Sequence, residues 1–206
     1  MSEILTDVAR YYTDKLAKHG TTPQGVDWKN EDDQITRFSQ LCKVIEADSR
    51  FTLNDIGCGY GALYQYLLDS YADFFYCGID VSEDMVAAAN KQTSDQANAS
   101  FAVASAPEAP AEYSVASGIF NVKLEYECSE WLDYIFSTLD IMDAYSTKGF
   151  AFNCLTSYSD EDKMRDYLYY ADPCHLFDHC KRNYYKWVSL LHDYGLWEFT
   201  IIVRKI

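Results

Sequence analysis

Three glycines at Gly57, Gly59 and Gly61 interrupt the chain just after a short apolar run that ends in Asp55-Ile56. A strand running into such a turn and then into a helix brings main-chain N–H groups close to a ligand, because glycine accepts backbone angles that other residues resist. A second acid, Asp80, closes the next apolar run, Phe74 to Asp80. It stands near the ~20-residue separation at which a carboxylate meets ribose hydroxyls. Ligands that fit this outline are a dinucleotide, a nucleoside triphosphate, or another molecule carrying adenosine.

The residues around the turn separate these ligands. A triphosphate loop needs Gly-Lys-Ser/Thr, which the chain lacks. A dinucleotide fits the spacing, with Ala62 in the third glycine's place. However, Asp55 would set a carboxylate beside the pyrophosphate and suits a cationic ligand instead. The chain has no room for a second catalytic domain. Its only Tyr-x-x-x-Lys, Tyr11 to Lys15, precedes the turn. Asp55-Ile56-Gly57-Cys58-Gly59-Tyr60-Gly61, followed by Tyr76-Cys77-Gly78-Ile79-Asp80 and Val81-Ser82-Glu83-Asp84-Met85, resembles the first two motifs of class I S-adenosylmethionine-dependent methyltransferases. The resemblance runs from about Phe51 to Ile206. It implies S-adenosylmethionine as cofactor and S-adenosylhomocysteine as product. Gly57, Gly59 and Gly61 would lie under the methionine part, with Asp55 at its base. Asp80 would bind the ribose, and Val81 and Met85 would flank the adenine. Many members carry an acid after the third strand that meets the adenine amine, where this chain has Ala104-Ser105-Ala106-Pro107; Ser105 or a backbone group would take that role. Ser117 to Phe120 would line the place where cofactor and acceptor meet.

Methyl transfer from a sulfonium needs alignment and exclusion of water, and a base only when the acceptor arrives protonated. Two regions outside the shared core offer such groups. The N-terminal segment holds Tyr11, Tyr12 and Trp28 as candidate acceptor contacts, with Trp28 as a lid. Arg37 of the same segment would reach the cofactor carboxylate. The segment Tyr167 to Tyr185 crowds tyrosines, Tyr170 among them, around His175 and His179, which are spaced for one helical face and are the candidate bases. Cys174 and Cys180 cannot join both histidines on that face, so no metal site is expected.

These residues need elements to hold them. Helical stripes run from Asp7 to His19, stopped by Gly20, and from Gln34 to Asp48, with Ile35, Phe38, Leu41 and Ile45 on one face. Strands then alternate with helices, and Ser159 to Tyr170 reads as a further helix. The chain ends in two strand signals joined at Gly195. That pattern predicts a Rossmann-like α/β fold: seven strands, mostly parallel, helices on both faces, the last strand antiparallel. A single domain over 1–206 is expected, with 1–50 as a helical cap and about 157–185 as an insertion on the acceptor side.

Composition narrows the partners. A net charge of -15 over 206 residues, with no basic cluster beyond Lys181, Arg182 and Lys186, disfavours nucleic acid and anionic lipid. No apolar run is long enough for a membrane span. The N-terminus lacks the character of a signal peptide, and seven scattered cysteines form no disulfide pattern, so a cytoplasmic protein is expected. The reading is therefore methyl transfer to an oxygen or nitrogen of a small molecule, with oligomeric state left open. The alternative is a methyltransferase-like partner subunit, or a modifier of a basic protein.

Overall fold

A computed structural model describes residues 2–46 and 49–206. Seven strands form one sheet: β1 (Phe51–Ile56), β2 (Phe74–Asp80), β3 (Ala99–Val103), β4 (Ala111–Ala116), β5 (Ser146–Leu155), β6 (Trp187–Leu191) and β7 (Glu198–Arg204). Their order is β3-β2-β1-β4-β5-β7-β6. β1 through β5 pair in parallel, while β7 runs antiparallel to both β5 and β6. The hairpin turn after Leu191 is too short for a crossover, so β7 has to reverse. The predicted fold class and terminal reversal hold. Strand order turns at β1, which puts the carboxyl end of β1 at the switch point where α/β sheets take ligands.

Among the described residues six α-helices cover the sheet: α1 (Glu3–His19), α2 (Glu31–Leu41), α3 (Ala62–Ser70), α4 (Glu83–Gln92), α5 (Cys128–Ala144) and α6 (Pro173–Asn183). One face packs α2 and α3 on Phe51, Leu53, Tyr113 and Ile202. The other packs α1, α5 and α6 on Ile56, Ile79, Phe150 and Ile201. The link from β3 to β4 carries no helix. Ile4, Val8 and Tyr12 of α1 join Ile79 and Ala104 in the hydrophobic cluster on this face. The N-terminal segment is therefore part of one face.

Several boundaries differ from the sequence reading. α2 ends at Leu41 and a 3-10 turn, Cys42–Val44, follows; Ala47 and Asp48, the end of the expected helix, lie outside the described residues. Ile35 is 44% exposed, and the inward face of α2 carries Gln34, Arg37, Phe38 and Leu41. Residues 159–170 form a loop with one 3-10 turn, Glu161–Lys163. Bridges from Leu168 to Val122 and from Ala171 to Thr156 hold it extended, so tertiary pairing overrides local propensity. Asp172-Pro173 starts α6: Asp172 caps the N–H groups of Cys174 and His175, and proline is tolerated in the first turn. The segment 157–185 is therefore this loop followed by a helix packed on β6 and β7.

Candidate functional site

A cavity of about 480 Å³ opens at the carboxyl ends of β1, β2 and β4. Gly57 and Gly59 form part of one wall, and with Gly61 they make the turn, at φ of 75°, 55° and 86°. Space as well as angle requires glycine at 57, since a Cβ there would lie 2.1 Å from Ile119 Cγ2. The turn is tied to β2 by the N–H groups of Gly57 and Cys58, which both donate to the Ile79 carbonyl.

Asp80 is fixed opposite this turn. Its Oδ2 accepts the Gly59 N–H and its Oδ1 the Ser82 N–H, each at 2.9 Å. Burial raises its pKa, while those amides oppose the rise. Two main-chain donors thus orient a carboxylate that keeps further lone pairs for a ligand. Ser82 also caps α4 and hydrogen-bonds Thr13 of α1 at 2.8 Å, tying the helix across the cavity to the end of β2.

Asp55 sits deeper and is buried. Its Oδ2 accepts the Tyr76 hydroxyl, and its Oδ1 has no protein partner. Burial lifts this carboxyl to about 7, against the hydrogen bond from Tyr76 and with help from the Asp80 charge. Ser117 Oγ, on the same cavity, is likewise buried without a partner. Buried polar atoms are ordinarily satisfied. Two unpaired oxygens on one cavity are open to a polar ligand.

The candidate residues fall into two groups. Asp55, Gly57, Gly59, Asp80, Val81, Met85, Ser105 and Ser117 line the cavity, as do Tyr12 and Trp28. Gly61 sets the turn and caps the start of α3. The remaining candidates lie elsewhere. Arg37 is buried behind Trp28, its guanidinium 3.8 Å from the indole centroid, and its Nε pairs with Glu198. Phe120 is fully buried, edge-on to Phe152. Tyr11 turns outward, donating to Asp27 at 2.7 Å, and lines a second, open groove with Glu3, Asp7, Tyr126 and Tyr167. Tyr170 accepts the Arg165 N–H within the 157–172 loop. His175 and His179 share a face of α6, but that face packs on Phe136 of α5; the His179 ring stacks on it at 3.9 Å. No metal-binding cluster exists among the described residues.

The sequence reading missed one wall. Ile4, Leu5 and Val8 of α1 and Tyr134, Thr138 and Ile141 of α5 close the cavity on that face, with Glu130 and Asp133 at the start of α5. On α1 the signal was the i, i+4, i+8 row of Ile4, Val8 and Tyr12. Gln34 and Phe38 of α2 and Tyr60 also line it. Tyr12 and Tyr134 present hydroxyls that burial keeps protonated: Tyr134 is pushed up to about 12, and Tyr12 well above the usual phenol range.

A family model described as a methyltransferase domain matches residues 54–140, the stretch from β1 through most of α5. A relative from Mycobacterium tuberculosis, named "Putative methyltransferase Rv1506c", is 57% identical over 163 residues, covering 79% of this chain and 98% of its own. Among solved structures, a DhpI complex with SAM and HEP aligns with a TM-score of 0.70 at 12% identity over 100% of both chains. The N-methyltransferase NodS of Bradyrhizobium japonicum, with S-adenosyl-L-homocysteine, aligns at 0.68 and 15% identity over 96% of this chain and 97% of its own. At such identities these two speak for the fold. With the relative at 57% identity and the glycine turn and Asp80 in place, the chain belongs to the class I S-adenosylmethionine-dependent methyltransferase superfamily.

Proposed function

We propose that the cavity holds S-adenosylmethionine and that the protein transfers its methyl group to an oxygen or nitrogen of a small molecule. The observation that carries this is Asp80, pinned by the Gly59 and Ser82 amides opposite the glycine turn. It is set to accept from both ribose hydroxyls. Val81 and Met85 would flank the adenine and Ser105 would face its edge. The unpaired oxygens of Asp55 and Ser117 suit the polar, cationic methionine end. When bound, the cofactor supplies a methyl group already activated on sulfur.

What the chain adds is enclosure. Ile4, Leu5, Val8 and Trp28 keep water from the reacting atoms, and Tyr12 and Tyr134 offer hydroxyl donors to orient the acceptor. The wall that α1 and α5 build together favours a small acceptor over a side chain borne on a protein. With His175 and His179 away from the cavity, an acceptor's proton passes to Glu130 or Asp133 on α5. Calorimetry with S-adenosylhomocysteine tests the cofactor half. Absent binding by the wild type, or equal binding by Asp80→Ala, sinks it. Turnover against a panel of amines, phenols and carboxylates tests the acceptor half. Transfer to a basic protein alone, with none to the panel, would replace the small-molecule reading.

A further inference from the structure

We infer that Arg37, Asn153 and Glu198, none of which lines the cavity, are positioning residues that hold its roof through Gly118 and Trp28. The inference rests on the cavity being the cofactor site. Glu198, at the start of β7, is 1% exposed. Its Oε2 accepts from Arg37 Nε of α2 at 2.8 Å and from Asn153 Nδ2 of β5 at 2.7 Å. The other end of the Asn153 amide, Oδ1, accepts the Gly118 N–H at 2.8 Å. An amide N–H only donates and a carboxylate only accepts, so the Asn153 side chain has one orientation. From Gly118 the contact passes to Trp28, because a Cβ at 118 would lie 2.2 Å from Trp28 Cζ2. From Trp28 it returns to Arg37, stacked on the indole at 3.8 Å.

Five residues from well-separated parts of the chain thus close a ring. Only Trp28 and Gly118 touch the cavity. Packing alone accounts poorly for the other three. Arg37 Nη1 and Glu198 Oε1 are buried with no protein partner, which a purely structural ion pair would not favour. Asn153 divides its amide between Glu198 of the neighbouring strand and the main chain of Gly118, the residue after Ser117. What the ring does achieve is a fixed height for Gly118 and a fixed plane for Trp28, over the site where methyl transfer must exclude water.

The test uses the full chain labelled with 5-fluorotryptophan, the Trp28 resonance being assigned with Trp28→Phe. Without any cofactor, Arg37→Met and Asn153→Ala each shift that resonance. Each also weakens S-adenosylhomocysteine binding about tenfold, and in a Trp28→Ala background Arg37→Met adds less than about twofold, since coupled residues are not additive. Glu198→Gln keeps an oxygen for both donors and leaves the resonance in place; it serves where Asn153→Ala does not fold, with Glu198→Leu as its disruptive counterpart. An unmoved resonance, or a tenfold Arg37→Met effect that persists undiminished without Trp28, overturns the inference. Absence of binding by the wild type instead defeats the cofactor reading, and the resonance then decides the roof on its own.

Discussion

The glycine-turn cavity and the histidine face of α6 both concentrate reactive residue types, and their surroundings set them apart. Around the cavity, polar atoms are held but incomplete: Asp80 is fixed by two amides with lone pairs to spare, while Asp55 and Ser117 each keep an unpaired oxygen. On α6, the histidine ring that is partly buried is turned to its neighbours and away from the cavity. His179 lies flat on Phe136 and meets the Tyr184 hydroxyl, which in turn donates to Asp140. A site is recognised less by which residues it contains than by which of their bonds are still open.

Asp80 carries the largest expected effect. Asp80→Ala removes two charge-assisted acceptors and frees the Gly59 N–H, so S-adenosylhomocysteine affinity falls about 100-fold by calorimetry. An Asp80→Ala protein that binds within a few-fold of wild type would erase the distinction between the two regions. Next in size is a pair of glycines with the same φ of 75°, Gly57 and Gly195. Alanine strains the backbone at either, lowering stability by about 1 kcal/mol in thermal unfolding. At Gly57 the new Cβ also strikes Ile119, whereas at Gly195 nothing lies within 4 Å. Affinity therefore drops about tenfold for Gly57→Ala and stays unchanged for Gly195→Ala.

Sequence legibility follows the same division. The glycine turn, Asp80 and the reversal of β7 were readable because they depend on backbone geometry and connection length, which spacing records. Trp28 was readable as a large apolar side chain in a polar loop. Tyr134, Thr138 and Ile141 were not. α5 is apolar on more than one side, and nothing in its residues says which stripe meets the sheet and which the cavity. Tyr11 and Tyr12 are adjacent and chemically alike, yet a helix turns one outward and the other inward. Leu168 and Ala171 pair with strand-flanking residues far along the chain, so residues 159–170, free of glycine and proline, mimicked a helix. The spacing of His175 and His179 was correct; their neighbours, which decide their role, come from α5.

Acidity sharpens the contrast further. Asp55 titrates at about 7 because it is buried. An acid raised in the native state favours the protonated fold, so its contribution to stability declines as pH rises from about 4 toward 7. The ligand's methionine-end ammonium prefers the carboxylate, so binding changes in the opposite sense and tightens with pH. Between pH 6 and 8, S-adenosylhomocysteine affinity rises by up to about tenfold. Asp55→Asn flattens that profile; a slope that survives the substitution would assign the titration to another group.

The smallest effect is expected at α6, and its smallness is the point. The Tyr184 hydroxyl has one hydrogen, which goes to Asp140 at 2.8 Å. Toward His179 Nε2, 3.2 Å away, that oxygen can only accept, so Nε2 carries the proton and is no free base. Burial lowers the His179 pKa and keeps the ring neutral against Phe136. His179→Ala loses the stack and costs about 1 kcal/mol, a few degrees in thermal unfolding. His175, exposed on the same helix, costs less than about 0.5 kcal/mol. Neither change moves affinity for S-adenosylhomocysteine or turnover of an acceptor by more than about twofold, because neither ring reaches the cavity. A hundredfold loss of turnover in His179→Ala, with binding intact, would make α6 the catalytic element and require it to move toward the glycine turn during the reaction.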